Sequence, residues 1–267
     1  MRQGEGLADA GRIYLLPSFF TAANLFFGFL AMIRCIQAKY VAVSSSALSH
    51  DYYIQAVWCV LLAAFCDALD GRLARLGKKE SLFGREFDSI ADMVSFGVAP
   101  SLMVFFLVLS PTEGYPFFRE VGWLIGFIYL LCGGVRLARF NAITHPALLQ
   151  EERGHGSDFL GLPITVAAGV IVSLVLVLNS YDLNHWSLLL PPLMLGIAYL
   201  MVSNVPFPSF KKIDWNTRTR LQTFVVLFSV FLTIFLCREF SLAFIFFTYV
   251  GFGTLRHLRR LRRRRRR

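Results

Sequence analysis

The sequence predicts an all-α fold, a polytopic membrane bundle of about eight transmembrane helices. Hydrophobic residues make up 56% of the 267 and charged residues only 16%. The mean hydropathy is +0.57, a balance that soluble domains of this length do not carry. The apolar residues also gather into stretches near the roughly 20 residues that a helix needs to cross a hydrocarbon core about 30 Å thick.

Eight stretches meet this description, at approximately 17–42, 52–72, 87–109, 119–140, 159–179, 186–203, 221–237 and 240–257. The sixth and seventh are short, so six to eight full crossings are expected. Alternating the chain through eight spans with the N-terminus inside puts all but Arg34, Lys39, Arg119 and Arg238 of the 27 basic residues on the cytoplasmic side. That asymmetry is the positive-inside pattern. Both termini are expected in the cytoplasm, and the first span is expected to be retained, since residues 1–13 are polar and no small-residue cleavage site follows.

Residues 14–258 read as one membrane domain between a cytoplasmic segment, 1–13, and an arginine-rich tail, 259–267. The tail reads as a disordered cytoplasmic segment that attracts anionic headgroups, each arginine near the surface contributing about 1 kcal/mol. No aromatic or folded apparatus for reading bases accompanies it, so no nucleic-acid partner is expected. The five cysteines sit singly in apolar segments without metal-ligand or disulfide spacing, as small core residues do.

The chemistry concentrates at the junction of the second and third spans. Asp67 and Asp70 are three residues apart, and Asp88 and Asp92 are four apart. Both spacings put a pair on one face of a helix. A short connection makes the two helices antiparallel neighbours, so the carboxylates converge from both sides. Acids gathered in this way repel one another unless a cation neutralises them. All-oxygen ligands select Mg²⁺, Mn²⁺ or Ca²⁺ over zinc, and two such ions are suited to clamping a diphosphate while its phosphorus is attacked. Gly71 and Ala74 leave room for a nucleotide near the backbone, Arg75 can pair with phosphate, and Gly84 permits a close turn.

Three further groups of polar residues lie near the cytoplasmic helix ends. Thr21 and Asn24, three apart in the first span, either face a diphosphate or make interhelical hydrogen bonds worth roughly 0.6–2 kcal/mol. Arg136 and Arg139 share a face at the end of the fourth span, close to Asn141, and guanidinium suits bidentate recognition of carboxylate or phosphate. Lys211 and Lys212 follow the sixth span, where basic residues are expected on topological grounds alone.

The complete pattern DxxDGxxARx(8)GxxxDxxxD, from Asp67 to Asp92, resembles the signature of the CDP-alcohol phosphatidyltransferase family of integral membrane enzymes. The resemblance implies that Asp67, Asp70 and Asp88 ligate divalent metal, Mg²⁺ or Mn²⁺ and two ions, and that Asp92 is the general base and also touches the second metal. It further implies that Asp70, Gly71, Ala74, Arg75 and Gly84 hold the CDP moiety while an alcohol displaces CMP from a CDP-linked lipid. A homodimer in the bacterial cytoplasmic membrane is expected on the same basis.

Other segments resemble the integral-membrane phosphatidylserine synthases within that family. They are PSFFTAANLFFG (Pro17–Gly28), SFGVAPS (Ser95–Ser101), RLARFN (Arg136–Asn141), FLGLP (Phe159–Pro163) and SNVPFPSFKK (Ser203–Lys212), in that order. They imply CDP-diacylglycerol and L-serine as substrates. Ser18 stands where Asn is usual, and the FLGLP segment continues ITVAAG where a second Pro is common. Glycerol 3-phosphate or an inositol derivative as acceptor is the alternative within the family. A cation transporter with an aspartate ion site is the alternative outside it, and that reading predicts charges spread through the bilayer depth.

Overall fold

The computed structural model describes residues 15–42, 44–77, 82–109, 116–143, 159–181, 183–207 and 240–264. The helices are α1 (Leu15–Val41), α2 (Ser46–Gly77), α3 (Leu82–Asp92), α4 (Ala99–Val104), α5 (Pro116–Ile143), α6 (Ile164–Ser180), α7 (Leu190–Val202) and α8 (Phe240–Arg264). A π-helical segment, Met93–Val98, joins α3 to α4, a second, Phe105–Leu109, extends α4 so that the whole forms one continuous helical stretch, and a 3-10 turn, Asn184–Leu189, precedes α7. The two-residue strands β1 (Phe159–Leu160) and β2 (Pro206–Phe207) pair antiparallel.

Among the described residues, four helical stretches are long and apolar enough to cross a membrane: Phe19–Val41, Ser46–Leu73, Phe83–Leu109 and Gly122–Ala142. Ile164–Ser180, Trp186–Val202 and Phe240–Arg256 are shorter apolar helices. The expected stretch 221–237 lies outside the described residues. Phe19, Phe26, Phe29, Trp58, Phe65, Trp123 and Phe127 are exposed on the outer faces. Such extensive exposed apolar surface marks a lipid-facing bundle rather than a soluble monomer. The chain is a helical membrane protein.

Helices α1 and α2 form a hairpin around the short turn at Ser44 and Ser45, whose amides both bond the Val41 carbonyl. Ala31, Cys35 and Ala38 are buried on α1, with Ala56, Cys59, Val60 and Ala63 on α2. Small residues let membrane helices approach closely. The cysteines at 35, 59, 66 and 132 are free thiols, and Cys237 lies outside the described residues. Arg34, a charge within a crossing stretch, is satisfied locally: it donates to Gln37 at 2.9 Å and sits over the Tyr52 ring.

Three details differ from the sequence reading. The fifth stretch becomes helical only after Pro163, because Gly161 adopts a φ of +85° and an added Cβ there would meet the Met201 carbonyl oxygen at 2.3 Å. Gly161 and Leu162 instead donate backbone hydrogen bonds to Val205 and Leu200, which ties FLGLP to SNVPFP. Gly84 lies inside α3 rather than in a turn. Finally, α8 continues as helix through Arg264, where a disordered tail was expected from residue 259. Arginine has high helix propensity and an established helix extends more easily than it nucleates.

Candidate active site

Helix α2 is 32 residues long, about 48 Å at 1.5 Å per residue, so one end must extend past a hydrocarbon core of about 30 Å. Asp67 and Asp70 lie toward its C-terminal end, while Asp88 and Asp92 lie in the second half of α3. One carboxylate oxygen each from Asp67, Asp88 and Asp92 lies within 4.8 Å of the others. Residues from two helices thus meet at one point, as the paired spacings predicted.

The fourth acid, Asp70, sits beside this triad and acts electrostatically on Asp67. It is buried and accepts a hydrogen bond from Thr21 Oγ1 of α1. Its Oδ1 is buried without a hydrogen-bond partner among the described residues. Asp92 is also buried, and its Oδ1 accepts from Asn24 Nδ2 at 3.2 Å. Thr21 and Asn24 therefore do make interhelical hydrogen bonds, and their partners are two of the site aspartates.

Asn24 is held from a second direction. Ser95 Oγ, in the π-helical segment after Asp92, donates to the Asn24 carbonyl at 2.9 Å. The close approach is possible because Gly28, one turn further along α1, has no side chain; a Cβ there would fall 2.1 Å from Ser95 Oγ and 2.7 Å from its Cα. A π-bulge inserted in an α-helix is common at functional sites. Here it follows directly on Asp92 and carries the serine that fastens α1.

The field of the site is negative. Asp92 experiences the charges of Asp67 and Asp88, while Arg136 of α5 faces both Asp67 and Asp92. A guanidinium offsets part of this repulsion, and carboxylate oxygens left over are the donor set of a hard divalent cation. The unpartnered buried Asp70 Oδ1 fits the same conclusion, since a buried acceptor without a partner costs stability. The cluster can hold a divalent metal.

Around this centre the remaining expected residues separate. A Cβ on Gly71 would meet nothing within 4 Å, so the backbone next to Asp70 borders open space. Arg136 also lies over the Phe140 ring, 5.8 Å from its centroid. Arg139 donates to Asn204 Oδ1 at 2.9 Å, and Asn141 donates to Ser89 Oγ on α3 at 2.8 Å. The side chains of Ala74 and Arg75, and Lys211 and Lys212 entirely, lie outside the described residues.

Sequence reasoning did not single out Ser89, Ser95, Asn204 or Tyr249. Ser95 and Asn204 stood within quoted motifs, but nothing in a single sequence distinguishes a hydroxyl that fastens a helix from one on a lipid face. Tyr249 of α8, which stacks on Phe207, carried no signal.

A helical membrane bundle with aspartates gathered at the junction of two helices, a facing arginine and open space beside Gly71 defines a carboxylate centre suited to a phosphate-bearing lipid. The profile of the CDP-alcohol phosphatidyltransferase family matches residues 14–205, and the chain belongs to that family. It is 35% identical over 250 residues to a CDP-diacylglycerol–serine O-phosphatidyltransferase of Helicobacter pylori, covering 92% of each chain. The similarity to the enzyme of that name in Bacillus subtilis is 34% over 197 residues, 74% of this chain and 92% of the relative. An archaetidylserine synthase of Methanothermobacter thermautotrophicus is 31% identical over 195 residues, 72% of this chain and 69% of the relative.

Proposed function

We propose that the protein transfers the phosphatidyl group of CDP-diacylglycerol to the hydroxyl of L-serine, giving phosphatidylserine and CMP. The observation that carries the chemistry is the convergence of Asp67, Asp88 and Asp92. The acceptor follows from relatives named for serine transfer that align along most of this chain.

In the reaction the serine oxygen forms a bond to the phosphorus that bears diacylglycerol, the bond from that phosphorus to the bridging oxygen breaks, and CMP leaves with the electron pair. Asp92 receives the serine hydroxyl proton. The Asn24 hydrogen bond holds one Asp92 oxygen in place and so limits how the carboxylate can turn. Thr21 holds Asp70 in the same way. Asp67, Asp70 and Asp88, with Asp92 shared, would hold two ions, Mg²⁺ or Mn²⁺; when bound, these neutralise the diphosphate and stabilise the departing CMP.

Asp70, Gly71, Ala74, Arg75 and Gly84 form the CDP subsite, supported by the open space at Gly71. Arg136 and Arg139 receive the serine carboxylate, since a planar fork of donors matches it. Asn141 and Lys211 border this acceptor side. The acyl chains remain in the bilayer while the headgroup enters from the cytoplasm. Eight spans with both termini cytoplasmic, a homodimeric assembly and a bacterial inner-membrane location complete the reading, supported by the distribution of Lys and Arg and by the family resemblance.

Purified protein given CDP-diacylglycerol and Mn²⁺ should release CMP and form phosphatidylserine with L-serine. Product with glycerol 3-phosphate or an inositol derivative but none with serine would replace the acceptor and leave the transferase reading standing. Manganese flux into sealed vesicles without CMP release would support the transporter alternative instead.

A further inference from the structure

The Asn24 side chain is partnered at its nitrogen but not at its oxygen. Its Nδ2 donates to Asp92 Oδ1 at 3.2 Å, whereas its Oδ1 is buried with no hydrogen-bond partner among the described residues. The residue as a whole has no exposed surface. An amide oxygen can accept two hydrogen bonds, and a buried polar atom that makes none is destabilising. A donor carried in by a substrate would relieve that.

The place of this oxygen is fixed by its surroundings. Ser95 Oγ donates to the Asn24 carbonyl at 2.9 Å, the absence of a side chain at Gly28 lets the Ser95 backbone come close, and the bond to Asp92 sets the amide group. Since a single carbon joins Oδ1 to Nδ2, the unpartnered oxygen is held near the Asp92 carboxylate.

An acceptor atom selects a donor or a cation, which excludes the oxygens of phosphate and carboxylate. A divalent ion has charged ligands to prefer, since oxygens of Asp67, Asp88 and Asp92 lie within 4.8 Å of one another. An ammonium has three donors and no acceptor, and its charge is favoured beside carboxylates. In serine it sits on the carbon next to the one that bears the hydroxyl.

We propose that Asn24 Oδ1 is the ammonium contact of the acceptor: it accepts a hydrogen bond from the α-ammonium of serine while the serine hydroxyl meets Asp92. This rests on serine as the acceptor, the reading given above. It makes Asn24 a specificity-determining residue, because glycerol 3-phosphate and inositol carry no ammonium. The two ends of one amide then serve the base and the substrate.

The test compares L-serine with β-hydroxypropionate, which is serine without its ammonium, as acceptors for the full chain in lipid nanodiscs with CDP-diacylglycerol and Mn²⁺. The wild type should favour serine in kcat/KM by about ten- to a hundredfold, the scale of one hydrogen bond to a charged group. Asn24→Ala should lower kcat for both acceptors through Asp92, and in addition lose most of that preference, since only serine makes the contact. Titration with Mn²⁺ in the absence of substrate should give Asn24→Ala an affinity close to that of the wild type. A wild type that uses both acceptors equally well overturns the proposal, whether or not the variant folds. So does a preference that Asn24→Ala keeps in full, which confines Asn24 to holding Asp92. A strong loss of Mn²⁺ affinity in a variant that melts as the wild type does would make Oδ1 a metal ligand and overturn it as well. Wild-type CMP release with glycerol 3-phosphate but none with serine would remove the serine reading itself, and the proposal with it.

Discussion

Asn24 of α1 donates to Asp92 of α3 at 3.2 Å, across 68 positions of sequence, and both side chains are buried. This bond ties the first membrane helix to one carboxylate of the Asp67, Asp88 and Asp92 cluster. A second bond, from Ser95 to the Asn24 backbone, closes a small ring of contacts around it. Thr21, one turn earlier on α1, reaches Asp70 on α2. One helix thus steadies an acid on each arm of the aspartate hairpin, and rigid support of this kind is what keeps reacting groups in productive geometry.

Replacing Asp92 with Asn keeps the size and the neighbouring helices while removing the proton acceptor proposed above. General-base catalysis contributes about 10²- to 10⁴-fold, so the rate of CMP release should fall by at least that range. Binding of CDP-diacylglycerol, followed by titration calorimetry in nanodiscs, should be largely kept. A variant within tenfold of the wild-type kcat would exclude Asp92 from the base role.

Asn24→Ala and Thr21→Val should differ in kind. The first loosens Asp92, and loss of a hydrogen bond to a charged group, about 1.5–3 kcal/mol, lowers kcat roughly ten- to a hundredfold if it is realised in the transition state. The second loosens Asp70, in the proposed metal and nucleotide subsite, and should raise KM for CDP-diacylglycerol more than it lowers kcat. Indistinguishable kinetic profiles for the two variants would contradict this division.

Chelation should abolish CMP release, and Mg²⁺ or Mn²⁺ should restore it. Direct titration with Mn²⁺, with no substrate present, should show binding that Asp67→Asn and Asp88→Asn each weaken strongly, because each removes a charged oxygen ligand from a shared centre. Metal affinity unaffected by either substitution would place the ion elsewhere.

The aspartate centre was legible in the sequence because helical periodicity is local: spacings of three and four fix a face whatever the tertiary structure. The role of Thr21 and Asn24 was only half legible. Their polarity in an apolar span called for a partner, but the partner lies 49 residues away for Thr21 and 68 for Asn24, and no spacing rule crosses that distance. The β1–β2 clasp was hidden for a related reason. FLGLP reads as the start of an apolar helix until the backbone reversal at Gly161 and its pairing with Val205 are seen. Tyr249 was invisible, since an aromatic in an apolar helix is ordinarily packing.

Gly28→Ala tests whether the approach of α1 to the π-helical segment matters for catalysis. The new methyl would overlap both the hydroxyl and the backbone of Ser95, so rotation of the serine cannot relieve it and the helices must separate. Overpacking of this kind costs about 1–3 kcal/mol, which should appear as a lower melting temperature in nanodiscs. Because Asn24 lies one turn away on the same helix, the separation should also weaken its bond to Asp92 and lower kcat. Adding Ser95→Gly removes the hydroxyl and its carbon but not the backbone contact, so the double variant should recover only part of the stability, and it should not regain the bond that Ser95 made to Asn24. Wild-type melting and kcat in Gly28→Ala would show that the contact between these two segments is slack.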